Sequence, residues 1–235
     1  EGFYADRNMH DGNGEFSPIP GVGLLLRKIT KEASLKIAKS AFEIAKSRSV
    51  NKSIKSKIHV VHKANVMKIT DGIFLDACRL VSSKYNDVDY EEMLVDACAA
   101  HLVRKPDQFD VIVTTNMFGD ILSDLATELS GSLGLAGSLN AGNNHAMAQA
   151  QHGAAPDIAD KNIANPISLI LSSAMLLDWL GKNRKIDKLI LASNLINNSV
   201  LELLKDKENF TRDLGGNATT RKITQNLIQI LNNTI

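Results

Sequence analysis

The sequence has little cysteine and no long apolar run, and each shortage excludes a class of protein. Only two cysteines occur in 235 residues, Cys78 and Cys98, and neither belongs to a Cys/Cys or Cys/His pattern that indicates a zinc site. Both lie in apolar helical patterns, which are typical of reduced core residues in a cytoplasmic protein. No run of about eighteen apolar residues exists, so the sequence predicts no membrane span.

A large excess of charge of either sign is also absent. Lysine and arginine total 27 against 26 acidic residues, and the net charge of +1 provides no global field for nucleic acid or an anionic membrane. Residues 27–63 are locally basic, but their lysines fall on the polar side of a helical pattern, which predicts a solvated face. Hydrophobic content of 44% and charged content of 23% are ordinary for a globular protein of one large or two modest domains.

Strand and helix patterns alternate along the first half of the chain. Compact β-branched runs predict strands at residues 58–62, 89–94 and 111–114. Helical spacing predicts a helix capped by Thr30, then helices at residues 73–85, at 96–104 and from Asp120, and three more at about 166–180, 186–204 and 221–231. This alternation predicts an α/β architecture.

Three stretches rich in glycine or turn residues predict loops. Residues 1–21 contain Gly, Asn, Asp and Pro without a sustained period, which indicates an exposed turn or β-arm. Small residues and glycines at 131–142 are typical of a crossing between two domains. Residues 145–156 carry Gly and Pro and are interpreted as a further loop.

Asp120 and Asp124 have two possible roles. If the helix begins near Asp120, the two carboxylates are four residues apart and project from one face at its N-terminal end. They can then form half of a site for Mg²⁺ or Mn²⁺, which prefer oxygen ligands. Alternatively, Asp120 caps the helix and Asp124 is a solvated acid of its first turn. The spacing alone leaves both readings open.

Five segments carry a resemblance to a known family: EGFY at residues 1–4, HKAN at 62–65, NMFGDILSD at 116–124, HGAAPDIADKNIANP at 152–166 and DLGGNATT at 213–220. In this order and at these separations they resemble the β-decarboxylating dehydrogenases, which act on isopropylmalate, isocitrate, homoisocitrate and tartrate. The resemblance runs essentially end to end. It implies a two-domain α/β fold in which residues 1–131 are most of the central dimer-forming domain, with a protruding arm near 5–20, and residues 132–235 are part of the cofactor domain.

The resemblance implies a metal-assisted reaction. The family oxidises a 2-hydroxy acid with a nicotinamide cofactor and a divalent metal and usually releases CO₂. By this resemblance Asp120 and Asp124 of one subunit are metal ligands, and Asp96 is a ligand from its partner. Lys63 assists deprotonation of the hydroxyl, and Tyr4 supplies a proton to the enol carbon. Without the resemblance, Asp96 would be read as a helix N-terminal acid, Lys63 as a surface charge and Tyr4 as a turn aromatic.

The resemblance also implies a cofactor site and a preference for NAD. The residues concerned are Asn65, His152, Gly153, Ala155, Pro156, Asp157 and Asn165. Asp157 favours NAD over NADP, because a carboxylate accepts hydrogen bonds from both ribose hydroxyls but repels a 2′-phosphate. The chain contains no Rossmann glycine fingerprint, and on spacing alone the loop reads equally well as a turn before a helix.

The family chain extends upstream of EGFY and supplies there the arginines that bind substrate carboxylates. We therefore expect a fold that is incomplete at its N-terminal side and a homodimer in which Lys63, Asn65 and Asp96 reach across the interface. The expected substrate is a malate-type acid of the isopropylmalate or isocitrate class, and the MAQAQHG segment leans towards the tartrate-like branch. The alternatives are a regulatory subunit without catalytic activity, or a remnant that binds nucleotide or dimerises.

Overall fold

The computed structural model describes residues 1–2, 15–49 and 55–234. It divides into two compact units, Glu1–Ala126 and Thr127–Ile235. Tyr4 and most of the predicted arm lie outside the described residues. The sequence placed a domain boundary at residue 131, and the roles assigned to the two domains remain predictions.

The first unit contains a hairpin and a parallel sheet covered by helices. Its elements are β1 (Glu15–Ile19), β2 (Val22–Leu25), α1 (Lys31–Ser49), β3 (Lys57–His62), α2 (Thr70–Ser82), β4 (Asp89–Leu94), α3 (Val95–Arg104), β5 (Val111–Thr114) and α4 (Asn116–Leu129). Strands β1 and β2 pair antiparallel, so the described end of the predicted arm, residues 15–20, contains the first strand of a hairpin. Strand β3 lies between β4 and β5 and runs parallel to both.

The sheet is held by its central strand and by two helices. Ile58, Val60 and Val61 of β3 are buried, as expected for a parallel strand covered on both faces. Ile58 and Val60 share a core cluster with Phe42 of α1 and Phe74 of α2. The predicted cap of α1 is confirmed, since the Ala33 N–H donates to Thr30 Oγ1 at 3.2 Å. The described lysines of α1 are exposed, which confirms the predicted solvated face.

Helix α4 begins one turn earlier than predicted. The sequence placed its start near Asp120 because Gly119 resembles a turn residue, whereas the helix begins at Asn116. The Gly119 N–H donates to Thr115 O at 2.9 Å, so this glycine continues the first turn instead of interrupting it. Asp120 is therefore inside the helix, and the capping alternative is wrong.

The second unit contains a hairpin and three long helices. Its elements are β6 (Gly137–Ala141), β7 (Ala146–Ala150), α5 (Ile167–Arg184), α6 (Asp187–Leu203) and α7 (Thr220–Thr234). The helices match the prediction, but the sequence analysis missed the antiparallel β6–β7 hairpin and read it as loop. Small residues are needed there because the hairpin packs on α5. A Cβ on Gly137 would lie 3.1 Å from the Leu171 carbonyl carbon.

One prediction based on composition is confirmed. Cys78 and Cys98 are buried free thiols, and burial raises the pKa of Cys78 to about 12 and that of Cys98 to about 11. Both therefore stay protonated at neutral pH and serve as small core residues. Within the described residues, no helix is long and apolar enough to cross a membrane.

A buried histidine lies in the central strand. The His59 side chain is fully buried, and its ring centroid lies 4.6 Å from that of Phe109. Neither ring nitrogen has a hydrogen-bond partner among the described residues. Burial, assisted by the positive charge of Lys57, lowers the pKa of His59. The folded protein therefore keeps this ring neutral at pH values where an unfolded chain binds a proton.

This burial predicts a loss of stability in acid. As the pH falls, the unfolded chain binds a proton at His59 before the folded chain does. The free energy of unfolding is therefore unaffected by this group above the unfolded pKa of about 6.5 and decreases as the pH falls below it. The variant His59→Leu should change stability little at pH 7.5, since no hydrogen bond is lost. It should become progressively more stable than wild type towards pH 5. Thermal unfolding midpoints across this range measure the difference, and parallel pH curves for the two proteins would contradict the account.

Candidate active site

Three turns leave the parallel sheet at its carboxyl edge. In the strand register, His62 is opposite Leu94 and Val61 is opposite Thr114. The residues that follow, Lys63 after β3 and the first residues of α3 and α4, therefore emerge at one edge. In parallel α/β sheets this is the edge where ligands bind.

Lys63 and Asp96, two predicted site residues, meet at this edge. Lys63 Nζ donates to Asp96 Oδ1 at 2.5 Å. The Lys63 side chain is 25% exposed and that of Asp96 is 65% exposed, so the pair is open to solvent. The hydrogen bond from Lys63 lowers the pKa of the Asp96 carboxyl. Asp96 is thus an anion at neutral pH and is available as an oxygen ligand.

Two side chains fix the backbone of the turn that carries Lys63. The Lys63 N–H donates to Asp71 Oδ2 at 2.6 Å, and the Ala64 N–H donates to His62 Nδ1 at 3.1 Å. Burial lowers the pKa of His62, which favours the neutral ring that can accept this bond. Asn65, predicted to lie near the nicotinamide, is exposed on the same turn.

A buried ion pair that the sequence did not predict lies beneath this turn. Arg27 Nη1 donates to Asp71 Oδ1, and the two side chains are 8% and 0% exposed. The helical spacing of Asp71 could have indicated that it is buried. It precedes Phe74, Leu75 and Cys78 by three, four and seven residues and so lies on their apolar face. An acid on a buried face needs a charged partner, but the sequence does not identify that partner as Arg27.

Asp120 and Asp124 lie one helical turn apart on α4, and both are exposed. Among the residues that the structure describes, no three His, Cys, Asp or Glu side chains are grouped closely enough to hold a metal ion. Asp96 is therefore not brought to Asp120 and Asp124 within one chain. The two α4 carboxylates suit Mg²⁺ or Mn²⁺ chemically, but the described chain does not complete the ligand set.

Glu1 and Gly2, the described part of the EGFY segment, lie beside the start of α4. The Asn116 N–H donates to Glu1 O at 3.1 Å, and the Thr30 N–H donates to Glu1 Oε2 at 2.5 Å. Gly2 forms an antiparallel bridge with Lys28. The first residue of the motif is thus tied to the first residue of the helix that carries Asp120.

In the second unit, the predicted cofactor residues form an exposed loop. His152, Gly153, Ala155, Pro156 and Asp157 are all exposed. Ala155 has a left-handed backbone with φ of 43°, an uncommon conformation for alanine, and the short turn Pro156–Ile158 follows it. The loop therefore has a defined backbone shape, and these residues are open to solvent.

Asn165 is placed differently, because its side chain is buried and used within the protein. Its Nδ2 donates to Asp213 Oδ2 at 2.9 Å, and its Oδ1 accepts the Ile167 N–H at 3.0 Å. Ser132 Oγ donates to the same Asp213 oxygen at 2.6 Å. Burial favours the neutral acid, but these hydrogen bonds outweigh it, and the pKa of Asp213 is lowered. The Asn165 side chain thus anchors the end of the loop to α5.

Comparisons with known proteins agree on one family. The model for isocitrate/isopropylmalate dehydrogenase matches residues 1–229. A 3-isopropylmalate dehydrogenase from Sulfurisphaera tokodaii is 46% identical over 85% of this chain and 57% of its own length. A mitochondrial regulatory subunit of NAD isocitrate dehydrogenase from Dictyostelium discoideum is 43% identical over 92% of this chain and 59% of its own length.

A solved structure shows the same fold. The crystal structure of isocitrate dehydrogenase from Methylococcus capsulatus superposes with a TM-score of 0.81 at 36% identity, covering 92% of this chain and 62% of that one. The predicted α/β fold is therefore confirmed. The chain spans less than two thirds of the length of these relatives.

Proposed function

Because the chain belongs to the isocitrate/isopropylmalate dehydrogenase family of β-decarboxylating dehydrogenases, we propose that it carries out NAD- and metal-dependent oxidation and decarboxylation of a malate-type 2-hydroxy acid. The observation that carries the proposal is the Lys63–Asp96 pair at the carboxyl edge of the sheet, where α4 also begins. This edge provides an amine for proton transfer and carboxylates for a cation. We use "complete protein" for this chain together with any further sequence that its gene encodes.

Each charged residue at the edge has a distinct role in the proposal. Asp120 and Asp124 of one subunit would hold Mg²⁺ or Mn²⁺, and Asp96 of the partner subunit would complete the carboxylate set. The metal would supply Lewis acidity towards the substrate, and NAD would supply the hydride acceptor. Lys63 takes the hydroxyl proton, and Tyr4 returns a proton to the enol carbon after CO₂ leaves. Both residues act at stated atoms of the substrate, so their replacement should affect turnover.

The separation of the proposed ligands within one chain supports a homodimer with shared sites. The described residues of one chain do not group three metal-binding side chains, and Asp96 pairs with Lys63. Exposed apolar side chains lie after Lys63, between β3 and α2, and on α4. Val66 is 68% exposed, Ile69 80% and Ile121 56%. A second subunit that covers these side chains would bring its own Asp96 towards Asp120 and Asp124.

Subunit mixing tests the shared site. In the complete protein, Lys63→Gln and Asp120→Asn remove different halves of a site, and each should abolish activity alone. Dimers that form randomly from both chains should recover about a quarter of wild-type activity, because half are mixed and each mixed dimer has one intact site of two. Co-expression and steady-state assays measure this recovery. Mixing Asp120→Asn with Asp124→Asn is the matched control and should recover nothing, and equal recovery in both mixtures would refute sharing.

The choice of NAD is assigned to Asp157. This exposed carboxylate lies in the turn after Ala155 and can accept bonds from the adenosine ribose hydroxyls while repelling a 2′-phosphate. His152, Gly153 and Pro156 shape the loop beside it, Asn65 of the partner chain approaches the nicotinamide, and Asn165 contributes backbone atoms.

Replacing Asp157 should weaken this selectivity. In Asp157→Ala, the ratio of kcat/KM with NADP to that with NAD should rise about tenfold or more, because bonds to the charged carboxylate and its repulsion of phosphate are both lost. Asp160→Asn removes a neighbouring charge in the same loop and should leave the ratio nearly unchanged. Initial rates with both cofactors provide the measurement. An unchanged ratio in Asp157→Ala would place the discrimination elsewhere.

The proposed function is tested by a substrate panel. The complete protein is incubated with NAD, Mn²⁺ and either 3-isopropylmalate, isocitrate, homoisocitrate or tartrate, and NADH is followed by absorbance. We expect NADH formation with one of these acids and its loss after treatment with EDTA. No NADH with any of them would favour the regulatory role that one relative's name carries. Thermal unfolding with and without NAD then separates a regulatory chain with a formed site, which NAD stabilises, from a remnant without one.

A further inference from the structure

The buried ion pair beneath the Lys63 turn has no role in the proposed chemistry. Arg27 and Asp71 have side chains that are 8% and 0% exposed. A buried ion pair contributes little to stability, since an apolar pair of similar volume is often as stable or more so. Stability alone therefore does not explain why this ion pair is present, and its other contacts suggest a further role.

Asp71 uses its two carboxylate oxygens for two different partners. Oδ1 accepts from Arg27, while Oδ2 accepts the Lys63 N–H at 2.6 Å. The second bond fixes the backbone from which the Lys63 side chain projects. A shift of about 1 Å in a group that transfers a proton can cost a hundredfold in rate.

The Arg27 guanidinium connects this turn to the start of α4. Its Nη1 also donates to Thr70 Oγ1 at 2.7 Å, and its Nη2 donates to Thr115 Oγ1 at 2.9 Å. Thr115 directly precedes α4, and the guanidinium carbon lies 5.7 Å from the centre of the Phe118 ring on that helix. The planar guanidinium of arginine carries five N–H donors in fixed directions, so it can donate to several acceptors at once. One side chain thus contacts the first turn of α2, which carries Asp71, and the turn before α4.

We propose that Asp71 is a positioning residue for Lys63 and that Arg27 holds the Asp71 carboxylate in the required orientation. The inference rests on the proposed function, because it concerns the placement of a residue assigned there to proton transfer. Asp71 acts through the Lys63 amide and does not touch the substrate. His62 assists from the other side, since its Nδ1 accepts the next amide, that of Ala64, at 3.1 Å.

Two double variants of the complete protein separate positioning from stability. Arg27→Met/Asp71→Leu removes both charges and the acceptor of the Lys63 N–H. Arg27→Met/Asp71→Asn also removes both charges but keeps an acceptor oxygen at residue 71. Neither leaves a lone buried charge, so both should fold. If the Leu variant does not fold, Arg27→Met/Asp71→Ala replaces it, because it removes the same acceptor with a smaller side chain.

The expected result is a difference in kcat between the two folded variants. The Leu variant should lose about 10- to 100-fold in kcat while KM for NAD and for the hydroxy acid changes little. The Asn variant should recover part of the loss, because its side-chain oxygen can still accept the Lys63 N–H but no longer has Arg27 to orient it. Equal kcat in the Leu variant and the wild type would overturn the inference. Equal losses in the Leu and Asn variants would also overturn it, because the acceptor would then not matter.

A matched control and one further variant complete the experiment. Arg48→Met/Asp110→Asn removes another ion pair, between α1 and the residue before β5 at the amino edge of the sheet, away from the Lys63 turn, and should keep its kcat. Lys63→Gln tests the premise. If Lys63→Gln or the wild type fails to behave as proposed, the proposed function is wrong. If both behave as proposed and the Leu variant keeps its kcat, the positioning role alone is wrong.

Discussion

Asp120→Asn should abolish turnover of the complete protein while leaving it folded. The exposed Asp120 side chain lies in the second turn of α4, so an isosteric amide disturbs no packing there. It removes a negative oxygen ligand, and amide oxygens hold divalent cations less strongly than carboxylates do. We expect a loss of about 1,000-fold or more in kcat/KM, since metal stabilisation of developing charge is worth several kcal/mol.

Steady-state assays over a range of Mn²⁺ concentrations test this prediction. Excess Mn²⁺ should restore part of the activity if the variant binds the ion more weakly. Asp107→Asn removes an exposed acid from a different turn and should leave both activity and metal dependence unchanged. Wild-type rates in Asp120→Asn would remove this residue from the proposed metal site.

Gly216→Ala should destabilise the second unit more than any other substitution proposed here. A Cβ at this position would lie 2.0 Å from the Phe210 carbonyl oxygen and 2.6 Å from the Phe210 carbonyl carbon. Two hydrogen bonds keep the backbone at Gly216 from moving away from Phe210. The Gly216 N–H donates to Thr211 O at 2.9 Å, and the Ala218 N–H donates to Phe210 O at 2.8 Å. We expect a loss of more than about 3 kcal/mol, beyond the usual cost of overpacking.

Trp179 in α5 is the only tryptophan in the sequence, so its fluorescence reports unfolding of the second unit. The neighbouring Gly215 is the control. It has φ of 80°, and apart from its two chain neighbours no residue lies within 4 Å of an added Cβ, so Gly215→Ala carries a backbone conformational cost without a clash. That variant should lose only about 1–2 kcal/mol. Equal losses for the two variants would show that the contact with Phe210 does not matter.

The sequence predicted those helices and strands whose buried faces leave a regular apolar pattern in their own residues. Strand β3 is rich in β-branched residues, as expected for a strand covered on both faces. Helix α1 has buried and solvated faces, and a threonine caps its N-terminal end. The β6–β7 hairpin escaped prediction because α5 packs closely against it. That packing requires residues as small as Gly137, which resemble a loop when read along the sequence.

The candidate site was predicted by resemblance more than by pattern. The structure brings Lys63 and Asp96 together, although they are 33 residues apart in sequence. It does not bring Asp96 to the α4 carboxylates of the same chain. Arg27 was not predicted, because its partners Asp71 and Thr115 are 44 and 88 residues away, and local spacing carries no information about such pairs.

The central claim is a metal site shared between two subunits, and anomalous diffraction from crystals of the complete protein grown with Mn²⁺ tests it most directly. The account predicts one manganese peak per active site, whose ligands are Asp120 and Asp124 of one chain and Asp96 of the partner subunit. A peak held by residues of a single chain, or bound manganese away from Asp120 and Asp124, would contradict it.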